Sequence, residues 1–165
     1  MKTLKPAALK TLIGDLFERA GCGAEEAAVI SDHLVEANLV GHDSHGVIRA
    51  PIYLQWMSQE KVFAGRSIEV VVDSGPLAVA DAGLGYGQWT GRQAVAVGVQ
   101  KCREHGVAIV ALRNAAHLGR IGTWAEIAAA EGLVSLHFVN TTGLGMFVVP
   151  TGGRDARLSV NPVCI

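Results

Sequence analysis

The sequence predicts an α/β protein: an amino-terminal helical segment followed by a mixed-sheet α/β layer domain. Three observations predict it. Apolar residues recur with helical spacing from Leu9 to Gly41, and runs rich in β-branched residues begin only after position 66. From there these runs alternate with helical patterns, the order that buries both kinds of element in stacked layers.

The elements follow in order. Leu9, Leu12, Ile13, Leu16, Phe17 and Ala20 fall at the spacing of one buried helix face, which Gly21-Cys22-Gly23 ends. A second helix is expected from Ala24 to Gly41, with Glu25 and Glu26 in its first turn, where negative charge suits the helix dipole. Residues 52–57 predict a short helix that tolerates Pro51 only as a first-turn residue or a kink. Strands are expected over 67–73 and 77–81, a helix over 89–105 and a strand over 107–113. A helix over 122–131 and strands over 133–140 and 146–150 follow, with no internal repeat and no low-complexity linker.

Composition narrows the function classes. A chain of 165 residues is long enough to bury a sizeable core without metal or disulfide staples. Its formal net charge of −1 offers nucleic acid or an anionic membrane no electrostatic footprint, so the expected partner is a small molecule. Apolar runs are broken well before membrane-spanning length, and Lys10 and Asp15 interrupt any signal-peptide core, so a cytoplasmic location is expected. Cys22, Cys102 and Cys164 are odd in number and widely spaced, which reads as reduced thiols. The apolar stretch 158–165 implies either a partner that covers it or a chain that continues further.

Four segments carry candidate chemistry. His45, Arg49 and Tyr53 are four residues apart, so a continuous helix would present all three on one face. An Arg fork holds a carboxylate by paired charge-assisted bonds, and a nearby His delivers or accepts the proton of a hydroxyl group. Ser44 would orient that imidazole, while Ser44 or Asp43 would otherwise serve as a helix cap; the plain alternative for the set is a solvated helix face. His42-Asp43-Ser44-His45 also has the look of a metal cluster, but no third ligand stands at a recognisable spacing, so no metal is expected.

The run from Asp81 to Gln88 follows a strand and opens a helix, as a dinucleotide fingerprint does. Gln88 stands where the third glycine belongs, and the acidic residue about twenty positions on, Glu104, lies at a helix end, so these glycines read as a tight turn and a close helix approach. Residues 114–122 connect a strand to a helix, where open α/β sheets place ligands. Arg120 and the helix-opening amides suit a phosphate and His117 suits a nicotinamide or a substrate oxygen; the alternative is a polar loop capped by Asn114. His33, His105 and His137 read as surface or satisfied core histidines.

Together, Gly41-His42-Asp43-Ser44-His45-Gly46-Val47 with Arg49 and Tyr53, the run from Asp81 to Gly87, Arg113-Asn114 through His117-Leu118-Gly119, Gly152-Gly153-Arg154 and Asn161-Pro162 resemble the malate/L-lactate dehydrogenase-like family, a non-Rossmann group, in its amino-terminal half. The resemblance implies a sulfolactate dehydrogenase-like fold, with a helical substrate-side segment over 1–65 and part of an α/β cofactor-binding domain over 66–165. It implies an NAD(P)-dependent homodimer that interconverts a small 2-hydroxy acid and its 2-oxo acid. His45, assisted by Ser44, would then donate the proton, with His117 as a rival acid/base, and Arg49 and Tyr53 would meet the substrate. His117, Leu118, Gly119, Arg120 and Ile121 would touch NAD or NADP. Two departures stand out: Val160 replaces the threonine usual before Asn161-Pro162, and the family continues well beyond residue 165. The apolar stretch 158–165 motivates the alternative reading, a catalytically inactive, truncated relative that serves as an interaction or assembly module.

Overall fold

The computed structural model describes residues 3–141 and 146–165. The chain divides into two compact units, Met1–Arg120 and Ile121–Ile165. The first holds helices α1 (Pro6–Arg19), α2 (Ala24–Leu39), α3 (Ala50–Ser58) and α4 (Gly87–His105) with strands β1 (Glu69–Ser74), β2 (Leu77–Asp81) and β3 (Ile109–Arg113). The second holds α5 (Gly122–Ala130) and the short strands β4 (His137–Phe138) and β5 (Val163–Cys164).

Pro6 occupies the first turn of α1, where its missing N–H costs nothing, and Arg19 sits in the last turn, where the dipole favours a cation. The buried face of α1 is narrower than its pattern suggests. Ile13 and Phe17 are buried, whereas Leu12 is 58% and Leu16 37% exposed, because a single helix, α2, supplies most of the packing surface. α2 is the central element: Ala27, Ile30, Leu34 and Ala37 have no exposed surface at all. Two of its buried polar residues reach other segments: Glu26 accepts the Gly65 N–H through Oε2 and His33 accepts the Arg120 N–H, both at 2.9 Å. Tyr53 from α3 and Tyr86 before α4 complete this core, the Tyr86 ring meeting Phe17 edge-on at 5.5 Å.

The sheet is mixed, as expected. β2 is its central strand, antiparallel to β1 and parallel to β3, and α4 makes the crossover between β2 and β3. The small buried residues Ala78 and Ala80 of β2 let α4 lie close. Lys101 of α4 is buried, with its ammonium on the Asp73 carboxylate and on the Gly75 carbonyl, which ties the helix to the β1–β2 hairpin. α4 ends at Gly106, whose φ of 78° closes the helix by a bond from its N–H to the Cys102 carbonyl.

Three strand expectations need correction. β1 begins at Glu69 because the Ile68 N–H is already given to Gln93 of α4, which holds 67–68 off the ladder. Of 133–140 only His137 and Phe138 pair, with Cys164 and Val163. Within 146–150 only Val148 is bridged, to Leu158. A β-rich run is a strand only over the length for which a partner backbone runs alongside. Among the described residues no helix is long and apolar enough to cross a membrane.

Phe17→Ala should cost about 3–5 kcal/mol in urea denaturation, the usual loss for an aromatic ring deleted from a core. Leu12→Ala on the same helix should stay within about 0.5 kcal/mol of the parent, since its side chain is largely in water.

Candidate active site

The segment from Asp43 to Arg49 is not one helix. It forms two single-turn 3-10 segments, Asp43–His45 and Val47–Arg49, before α3 begins at Ala50. Gly46 interrupts them with an extended backbone, φ −85° and ψ −156°. Asn38, at the end of α2, dictates the break: its Oδ1 accepts the Val47 N–H at 2.9 Å and its Nδ2 donates to the Asp43 carboxylate at 2.5 Å. Neither Ser44 nor Asp43 caps a helix here, so Asn38 performs that office from outside the segment. A side chain at 46 would occupy the place of that amide, its Cβ 2.6 Å from Asn38 Nδ2.

The glycine-rich turn after β2 lies against the segment that follows β3. Parallel pairing continues past the strands as backbone bonds from Ala82 N–H to Arg113 O at 2.9 Å, Leu84 N–H to Asn114 O at 2.8 Å and Ala116 N–H to Gly85 O at 3.2 Å. Asp81 braces both sides: Oδ1 accepts the Gly83 N–H, and Oδ2 accepts Arg113 Nε and Asn114 Nδ2 at 2.8 Å each. These bonds, the Gly83 amide first, hold its carboxyl below the usual range. The Asn114 side chain therefore braces the loop instead of capping a helix. The glycines make the close approach that their spacing suggested. A Cβ on Gly85 would lie 2.8 Å from the Arg66 carbonyl oxygen, and one on Gly87 would lie 2.6 Å from that of Ala116. Neither leaves room for a pyrophosphate.

The two segments bring His45, Tyr53 and His117 together. The His45 and His117 rings stack at 5.2 Å with 25° between their planes, and His42 meets His45 edge-on at 4.5 Å. Ser44 Oγ is 2.9 Å from His45 Nδ1, the orienting contact expected of it. Arg49 turns its Nε to the Ser44 carbonyl at 2.5 Å, which fixes the guanidinium beside the cluster. The buried Tyr53 hydroxyl is 2.7 Å from His117 Nδ1.

Electrostatics follow from burial among cations. Desolvation first, then the Arg49, His45 and His33 charges, push His117 from its ordinary 6.5 down to about 4. His45 is lowered as well, by desolvation and then by His42 and Arg49. Burial pushes the Tyr53 hydroxyl up to about 12, so it remains a proton donor.

Of the loop residues, Gly119 and Arg120 turn their amide N–H groups inward, to His117 Nδ1 at 3.3 Å and to His33 Nε2 at 2.9 Å, and so offer neither to a phosphate. Leu118 is half-buried, and Ile121 opens the second unit. His33 is the satisfied core histidine expected, His105 is exposed beside Glu104, and His137 contacts Ser135. Among the described residues no group of three or more His, Cys, Asp or Glu side chains is placed to hold a metal. Two residues with a part in the site escaped the sequence reading: Asn38, and Gln88, whose buried amide reaches both Tyr53 and His117. Spacing gives no signal for either, because each acts across more than one element.

The helical front and mixed sheet are those of dehydrogenases acting on small hydroxy acids. The fold superposes on malate dehydrogenase from Pyrococcus horikoshii with a TM-score of 0.92 at 30% identity, covering 98% of this chain and 46% of that one. On sulfolactate dehydrogenase from Methanocaldococcus jannaschii the TM-score is 0.91 at 34% identity, over 97% and 46% of the two chains. Hydroxycarboxylate dehydrogenase B of Escherichia coli K12 is 41% identical over 157 residues, which is 95% of this chain and 43% of that protein. L-lactate dehydrogenase of Cupriavidus necator is 37% identical, over 94% and 44%. Residues 4–165 match the family described as malate/L-lactate dehydrogenase, and the chain belongs to that family. It spans somewhat under half the length of these relatives.

Two outcomes test this geometry. Gly87→Ala should destabilise the protein by about 1–3 kcal/mol, because the backbone atoms it meets do not yield cheaply, whereas Gly98→Ala in the same helix, with only Val110 Cγ2 at 3.4 Å, should be neutral or gain up to about 1 kcal/mol. Stability should also fall as pH drops from His117's ordinary 6.5 toward its folded value of about 4. Across that window the unfolded chain takes up a proton that the folded one refuses. In urea titrations His117→Gln should flatten the slope, and an unchanged slope would rule out His117 as its source.

Proposed function

We propose that this chain carries the substrate-side half of a nicotinamide-dependent oxidoreductase that interconverts a small 2-hydroxy acid, of malate or lactate type, and its 2-oxo acid. The observation that supports the reading best is the convergence of Arg49, His45 and His117 with the Tyr53 hydroxyl in one partly desolvated cluster. Arg49 is tethered through Nε, which leaves its terminal nitrogens to pair with the substrate carboxylate. Ser44 holds the His45 ring, and His45 moves the proton: to the carbonyl oxygen in reduction, from the hydroxyl in oxidation. Its lowered pKa favours the neutral form that accepts a hydroxyl proton. His117, held neutral, serves as a hydrogen-bond donor to the substrate oxygen.

NAD or NADP, when bound, supplies or accepts the hydride. The residues fit its reacting end, where two imidazoles and an arginine meet. At Gly85 and Gly87 the turn does not fit its phosphates, since Arg66 and the 116–117 backbone stand there. From the loop, the side chains of His117, Leu118, Arg120 and Ile121 and the Gly119 backbone would lie along the cofactor. We retain the homodimer and the cytoplasm as parts of this reading.

The test is reduction of a panel of 2-oxo acids, oxaloacetate and pyruvate first, by NADH or NADPH, followed by nicotinamide absorbance. It is run on this chain and on a version extended through the remaining length of the family fold. Turnover in the extended version should fall by about 10²–10⁴-fold in His45→Ala, and a fully active His45→Ala would sink the assignment. The kcat/KM for reduction should decline as pH rises through an apparent pKa below 6.5, and that for oxidation should rise through the same value, because His45 must be protonated for one and neutral for the other.

A further inference from the structure

Gln88 opens α4 and has no exposed surface. Its Nε2 lies 3.0 Å from the Tyr53 hydroxyl and 3.1 Å from the His117 carbonyl oxygen. A peptide carbonyl only accepts, so the amide nitrogen of Gln88, not its oxygen, must face that carbonyl. The same nitrogen then gives its second hydrogen to the Tyr53 oxygen. Because Gln88 offers the hydroxyl a donor and no acceptor, the buried phenolic proton finds its acceptor in His117 Nδ1, along the 2.7 Å contact. The Gly119 N–H, aimed at the same Nδ1 from 3.3 Å, would repel a hydrogen there. Both observations leave the His117 proton on Nε2.

We propose that Gln88 is a positioning residue that sets a one-way hydrogen-bond chain, from Gln88 through Tyr53 to His117 Nδ1, and thereby fixes His117 in its Nε2–H tautomer. This assigns a purpose to the glycine-rich turn. Gly87 carries no Cβ because the 116–117 backbone lies where one would stand, and Gln88 is the next residue, delivered against that backbone by the first turn of α4. In a dinucleotide fingerprint the residue in this place would be a third glycine; here it is the residue that orients a histidine. The consequence for chemistry is that His117 presents a fixed donor and no free lone pair, which suits binding a carbonyl or hydroxyl oxygen and excludes abstracting a proton through Nδ1. Only in treating His117 as facing substrate does the assignment rest on the dehydrogenase reading.

Nitrogen NMR of the histidine-labelled chain, with His117 identified by its loss in His117→Asn, reads the tautomer without substrate or cofactor, so this inference and the reaction class fail independently. The parent should show Nδ1 as the unprotonated, pyridine-type nitrogen and Nε2 as the protonated one, unchanged between neutral and mildly acidic pH. Gln88→Met, close in size and without the amide, should move both nitrogens toward intermediate shifts as the tautomers interconvert. Gln88→Glu, of the same shape, should shift the pattern toward a proton on Nδ1, since a carboxyl oxygen draws the Tyr53 proton to itself and leaves the Tyr53 oxygen to accept from His117 Nδ1, against the Gly119 N–H. The Glu variant carries the test if the Met variant does not fold. A parent spectrum with the proton on Nδ1, or a folded Gln88 variant with the parental pattern, would overturn the proposal.

Discussion

The site depends on one constraint: two backbones, the turn at 82–87 and the segment at 113–117, run so close that no side chain fits between them at Gly87. The parallel pairing of β2 and β3 sets their direction, and Asp81 extends the pairing beyond the last strand residue with three bonds from one carboxylate. Because a backbone-to-backbone contact has no rotamer freedom, His117 is placed by the sheet and not by a flexible loop. The rigid scaffold thus reaches the imidazole within a few residues of a strand end, the usual position for chemistry in layered α/β proteins.

Onto that fixed point the helical segment adds the other members of the cluster. α2 holds the Asp43–Arg49 segment through Asn38 and holds the 117–120 segment through His33. One helix therefore touches both halves of the cluster. Its buried polar residues, expensive if unpaired, are used as fasteners at His33 and Glu26. The resulting cluster is partly desolvated and rich in positive and latent positive charge, so both histidines are driven neutral in the absence of an anion. A carboxylate arriving at Arg49 would relieve that repulsion. The electrostatic strain is thus complementary to an anionic ligand before any ligand is present.

Much of this was legible in the sequence, and the failures have physical reasons. Leu9 to Ala20 and Ile30 to Ala37 announced helices because a buried face imposes its period, and the β-branched runs announced β2 and β3 for the same reason. Leu12 misled because periodicity marks a face but not how wide a surface its partner offers. His45, Arg49 and Tyr53 did converge with the loop, although the continuous helix invoked for them does not exist. Spacing of four suggested it; the side chain of Asn38, remote in sequence, replaced it with two tight turns. Gln88 was read only as a missing glycine, since a residue that acts through a tyrosine 35 positions away leaves no local pattern.

Asn38 and Gly46 share one small volume. Enlarging residue 46 demands that residue 38 shrink, yet shrinking residue 38 removes the amide that satisfies Val47 and grips Asp43. Neither change has a single-step remedy in the other. Such a pair drifts slowly through descent: it should stay frozen together across lineages that preserve this geometry, and where one member departs, the entire His45-bearing turn should be found rebuilt.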